Sequence, residues 1–106
     1  MRKLYIVKHS RDFEKIMENG KCMKNRSFVV YSMENHLPYH RYGISVSKKL
    51  GNAVFRNKCK RVVRNIIDNH KKDYIKGKDY IIILRREVVE KSYQEQTKEL
   101  LELLSD

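Results

Sequence analysis

Two periods of apolar and polar residues alternate along this chain. In SRDFEKIMENG, Phe13, Ile16 and Met17 recur at helical spacing. Ser10 stands as an N-cap, Asp12 and Glu14 fall in the first turn, and Gly20 marks a stop, so the stretch predicts a short helix. KCMKN is a weak strand pattern and SFVVYSM a stronger one. Period two puts Phe28, Val30 and Ser32 on one side of it and Val29, Tyr31 and Met33 on the other. ENHLPYH, with the only proline, Pro38, is a turn. RYGISVS then alternates again: Tyr42, Ile44 and Val46 face one way, Arg41, Gly43, Ser45 and Ser47 the other. The second face is small and polar, which suits either close approach of a ligand backbone or plain solvation.

From Asn52 the period becomes helical. Phe55, Cys59, Val62, Val63, Ile66 and Ile67 form one apolar stripe. NHKKDYIKGK is a connection with Gly77 as its turn, and DYIIILRR is a continuous apolar run, expected as a central strand covered on both faces. SYQEQTKELLELLS closes the chain as a helix with a Ser92/Glu95 capping box and a face of Tyr93, Thr97, Leu100, Leu101 and Leu104. The order is α-β-β-β-α-β-α, an α+β pattern in which strands three and four flank a crossover helix and should run parallel. The general rule makes such a crossover right-handed in ~98% of cases.

Composition narrows the class. A length of 106 residues allows a single domain, residues 1–106, with one modest core. No run approaches the ~20 apolar residues of a membrane span. MRKLYIVKHS meets charge too early for a signal peptide. Cys22 and Cys59 stand apart, without a CxxC or a His–Cys cluster, and read as reduced cytosolic thiols.

Charge changes the picture most. The net charge is +11, and no acidic residue occurs from Asn35 to Ile67, whereas Arg41, Lys48, Lys49, Arg56, Lys58, Lys60, Arg61 and Arg64 all do. On the helix, Arg56, Lys60 and Arg64 step along one flank, Lys58 and Arg61 extend the surface, and Asn57 sits within it. Like charges one turn apart destabilise a helix slightly, so such a face gains only when a polyanion arrives. Arginine offers a planar fork for phosphate oxygens. An amide such as Asn57 offers a donor and an acceptor for base edges or a 2′-hydroxyl. The competing readings are a solvated face and an anionic membrane surface; the first fits Lys/Glu mixtures better, and the second would need the apolar stripe that the core requires.

No catalytic constellation accompanies this face. His9, His36, His40 and His70 lie outside metal-ligand spacings, and the pair flanking Pro38 reads as solvated. The carboxylates gather in the outer helices, not in the convergent group that a two-metal nuclease needs.

GISVSKKLGNAVFRNKCKRVVR, Gly43 to Arg64, resembles the signature of the bacterial ribonuclease P protein component, and weaker resemblance runs from DFEKIMENG through NRSFVVYS to KGKDYIIILRR. The resemblance implies an α-β-β-β-α-β-α sandwich on a four-stranded sheet, with a left-handed β-α-β crossover against the general rule. It implies an accessory subunit to a catalytic RNA that, with Mg²⁺, cleaves precursor tRNA to leave the mature 5′ end. Lys48, Lys49, Asn52, Arg56, Asn57, Lys58, Lys60, Arg61 and Arg64 would contact the catalytic RNA. Phe13, Met17 and Tyr31 would line a groove for the single-stranded 5′ leader, with Met17 where an aromatic is common. Lys58 replaces the family's second arginine, which keeps the charge and loses the fork. The metal would be held mainly by the RNA, with one protein per RNA and a cytoplasmic location. Composition alone also allows a ribosomal or other structural RNA-binding protein, and a self-contained nuclease ranks third.

Overall fold

The structure is a computed structural model that describes residues 6–7, 9–70 and 77–104. The elements are α1 (Ser10–Asn19), β1 (Lys21–Lys24), β2 (Phe28–Glu34), β3 (Arg41–Ser45), α2 (Ala53–Asn69), β4 (Lys78–Leu84) and α3 (Tyr93–Leu104). Short 3-10 turns at Lys48–Leu50 and Arg86–Glu90 precede α2 and α3. The connection at 71–76 lies outside the described residues.

The four strands form one sheet in the order β1-β2-β4-β3. β2 pairs antiparallel with β1 and β4, and β3 pairs parallel with β4 across the α2 crossover. β4 is thus interior, as its unbroken apolar run requires: Tyr80, Ile82 and Leu84 point into one core and Ile81 into another. Ile6 bridges to Tyr42 and covers part of the β3 edge.

The two faces of the sheet are packed unequally. On one, Phe28, Val30, Tyr80, Ile82 and Leu84 meet Val63, Ile66 and Ile67 of α2 and Leu100 and Leu103 of α3. On the other, the buried apolar side chains among the described residues are Val7, Ile16 and Ile81, with Phe13, Tyr31, Met33 and Ile83 half-buried against them.

Local details depart from the sequence reading in instructive ways. Ser10 is the first helical residue and His9 takes the N-cap position without a side-chain bond. Gly20 does stop α1, yet its φ of −80° is ordinary. Its bare Cα is needed because a Cβ there would run into the carbonyl oxygens of Ile16 and Ser32. The face of α3 turns toward Leu100 and Leu103, and Tyr93 is left 38% exposed. The Ser92/Glu95 box forms reciprocally, with both N–H···O distances at 3.1 Å.

His40 is buried, not solvated: it is 8% exposed, stacks edge-on against Tyr80, and accepts the Lys78 N–H on Nδ1 at 2.7 Å. Nor do all carboxylates lie in the outer helices. Asp79 is buried in β4, where it accepts from Arg41 Nε and Asn35 Nδ2, each at 2.8 Å, and from Arg41 Nη2 at 2.5 Å. The small face of β3 receives protein, since the Phe13 ring lies directly over Gly43.

Candidate nucleic-acid interface

Two groups of residues stand out, one on each side of the sheet. The first is the outer surface of α2. Asn52 starts the helix: its Oδ1 accepts the Phe55 N–H at 2.9 Å and its carbonyl accepts the Arg56 N–H at 2.9 Å. Asn52 therefore has a capping role that leaves its amide nitrogen without a hydrogen bond in the cap, open to a ligand. The inner stripe then anchors the helix, with Val63, Ile66 and Ile67 buried and Phe55, Cys59 and Val62 half-buried. Burial raises the pKa of the Cys59 thiol, so it stays protonated at neutral pH.

With that stripe fixed, the helical period dictates what faces outward. Asn57, Lys58, Arg61 and Arg64 are exposed, Arg56 and Lys60 half-buried, and Lys48 and Lys49 exposed on the preceding turn. None of these cations is paired with a carboxylate among the described residues. Arg56 Nε is buried without an acceptor there, a donor left for an incoming oxygen. Arg41 is different: Asp79 neutralises it and, through the hydrogen bonds first, raises its already high pKa. The free cationic surface is therefore α2 and the Lys48–Leu50 turn, without Arg41.

The second group lies under α1. Cross-strand register sets Cys22, Tyr31, Ile81 and Gly43 in one row across the sheet, and Lys24, Val29, Ile83 and Ser45 in the next row on the same face. Phe13 and Tyr31 come together against Ile81, and Met17, on the same helix as Phe13, is 42% exposed. A hydrogen bond with the Cys22 side chain pushes the Tyr31 phenol above its ordinary pKa, so it remains a hydroxyl. Val29 and Ile83 were not singled out from sequence; the period-two alternation that placed Tyr31 held the signal for Val29. Val29 is half-buried and belongs to neither core, so the second row is an incomplete floor.

Among the described residues no group of three or more His, Cys, Asp or Glu side chains could hold a metal ion, and no helix is long and apolar enough to cross a membrane. Asp79 is committed to Arg41 and Asn35. Among the described residues the donor set does not present the convergent carboxylate oxygens that would hold Mg²⁺.

The sheet carries on one face a cationic helix without carboxylate partners among the described residues, a surface that suits a polyanion, and on the other a half-buried apolar shelf. The family model for ribonuclease P matches residues 1–106. A ribonuclease P protein component from Streptococcus pneumoniae is 45% identical over 104 residues, covering 98% of this chain and 85% of the relative. A solved Staphylococcus aureus RNase P protein superposes with a TM-score of 0.86 at 41% identity, covering 95% of this chain and 93% of that one. The Thermotoga maritima RNase P protein gives 0.84 at 37% identity, covering 92% and 93%. The chain belongs to the bacterial ribonuclease P protein family. It is a subunit of ribonuclease P, the enzyme of tRNA 5′ processing, with an RNA partner; a ribosomal or other structural RNA-binding role is not favoured.

Proposed function

We propose that the α2 surface docks on the catalytic RNA and that the shelf under α1 receives the 5′ leader of precursor tRNA. Lys48, Lys49, Arg56, Lys58, Lys60, Arg61 and Arg64 neutralise phosphates, while Asn57 and the remaining amide of Asn52 hydrogen-bond bases or 2′-hydroxyls. Phe13 and Tyr31 offer stacking surfaces, and Met17 an apolar rim. The observation that carries this reading is the set of exposed cations without carboxylate partners on a helix whose other side is locked into the core.

The protein's part in the reaction is then to bind and to position. Hydrolysis of the phosphodiester is assigned to the RNA, with Mg²⁺ held mainly by that RNA. Cations near that centre reduce phosphate repulsion and lower the Mg²⁺ concentration needed. Residues 1–106 act as one domain, one copy per RNA, in the cytoplasm. The test is cleavage of precursor tRNA by the cognate RNA at low Mg²⁺, with and without this chain. Correct 5′ ends appearing only with the protein support the assignment; cleavage without the RNA, or no effect of the protein, overturns it.

A further inference from the structure

We propose that Gly43 is a positioning residue for the leader site: its missing side chain is the seat that fixes where the Phe13 ring stands. The inference rests on the leader reading given above and concerns how that site is held.

β3 places Arg41, Gly43 and Ser45 on the α1 face, and the register sets Gly43 beside Ile81. A Cβ at Gly43 would lie 2.5 Å from Phe13 Cζ and 2.9 Å from Ile81 Cδ1. Both distances are inside van der Waals contact, so the tip of the ring rests on bare backbone. The φ of Gly43 is not in the left-handed region, so space, not backbone conformation, makes glycine necessary. The other end of α1 is seated in the same manner, with Gly20 against the Ser32 carbonyl of β2. Two absent side chains thus set the height of the helix over the sheet at its two ends.

What would yield to a methyl group at position 43 is decided by the surroundings. Ile81 is fully buried, and β3 is held by its parallel ladder to β4. Phe13 is only half-buried, so it is the side that yields: the ring swings outward or α1 lifts. Either movement carries Phe13 away from Tyr31 and alters the shelf formed by Val29 and Ile83. The α2 surface lies on the other face, packed on a separate core, and stays as it is.

The experiment uses holoenzyme reconstituted with the cognate catalytic RNA and three variants: Gly43→Ala, Phe13→Leu and the double substitution. It reads the ratio of precursor to mature tRNA affinity under non-cleaving conditions, the affinity for the catalytic RNA, and the Tm. Phe13→Leu lowers the ratio by about fivefold or more, as loss of a stacked aromatic does. Gly43→Ala lowers it about threefold or more without changing catalytic-RNA affinity. The double variant matches Phe13→Leu alone, because leucine has no ζ carbon to collide with; such non-additivity is the mark of direct coupling. An unchanged ratio in folded Gly43→Ala, or losses that multiply, overturns the proposal while leaving the leader site intact. An unchanged ratio in Phe13→Leu overturns the leader reading at Phe13 and the proposal with it. Should Gly43→Ala not fold, a double variant with the Tm of Phe13→Leu upholds the seat, and a double variant that also fails to fold overturns it.

Discussion

Substituting alanine for basic residues one at a time should separate two kinds of arginine in this chain. Arg56, Lys60 and Arg64 have no carboxylate partner among the described residues, so each phosphate they touch releases a counterion. Each lost contact flattens the plot of log K against log salt by about 0.7–0.9. Between 50 and 200 mM salt a fourfold change in concentration acts, so each contact is worth about a threefold share of the affinity lost over that interval. Removing all three therefore weakens the salt dependence by roughly 20- to 40-fold across that range. Arg41→Ala gives the opposite pattern. Asp79 already holds that guanidinium through Nε and Nη2, so its removal leaves the slope unchanged and leaves the buried Asp79 carboxylate without its ion-pair partner. Breaking a fully buried pair costs ~3–5 kcal/mol, and the 29% exposure of the Arg41 side chain discounts that to roughly 2 kcal/mol. The assay is filter binding to the catalytic RNA at four salt concentrations, beside urea unfolding of each variant. A slope that falls for Arg41→Ala, or one that does not fall for the α2 set, refutes the division of charges. Asn57→Ala should weaken binding with the slope unchanged, because an amide releases no counterion.

Three further outcomes follow from the same structure. Sulfate should raise the Tm above chloride at matched ionic strength, since an anion bound only by the folded, strongly cationic form stabilises it by about 2.7 kcal/mol at a hundredfold excess over Kd; equal melting curves would contradict this. His36 sits at φ 59° in an exposed loop, so His36→Gly should gain roughly 0.5–1 kcal/mol, the left-handed penalty removed less the extra freedom of the unfolded chain, and urea unfolding that shows a loss would exclude strain there. Burial lowers the pKa of His40 below its ordinary 6.5, so the unfolded chain binds more protons in that range; stability is fully present above pH 6.5 and declines as pH falls toward the folded pKa, and His40→Gln should flatten that decline in denaturation curves taken at a series of pH values.

Much of this architecture was legible in the sequence because it depends on local periods. The apolar run from Asp79 to Leu84 marked an interior strand, the Ser92/Glu95 spacing marked a helix start, and the stripe from Phe55 to Ile67 fixed which side of α2 must face outward. What escaped depends on register between strands distant in the chain. Arg41 belongs to the run of positive charge without local acids, yet its partner lies 38 residues away, and only the parallel pairing of β3 with β4 sets Arg41 opposite Asp79. His40 looked solvated beside Pro38 for the same reason, since its hydrogen-bond partner is the Lys78 amide at the start of β4. The small residues of β3 suggested room for a ligand. The room at Gly43 is filled by Phe13, from a helix packed across the sheet and 30 positions earlier.

The unequal packing of the two faces explains how a small domain can present two surfaces at once. A chain with 41% hydrophobic residues and 35% charged ones cannot cover both sides of a four-stranded sheet equally well. Here the apolar residues are concentrated under α2 and α3, where twelve buried side chains make one core. That makes α2 a rigid mount, which matters because seven like charges on and beside a helix repel one another and would fray a loosely held one. The opposite face receives one helix of ten residues and a core of three. Val29, Ile83 and Tyr31 are left half-covered there, at a cost in stability that a bound strand would recover by stacking on them. The weakly packed face and the strongly packed one are therefore consequences of a single shortage of apolar surface, and under the proposed function the first would take a single strand and the second a folded RNA.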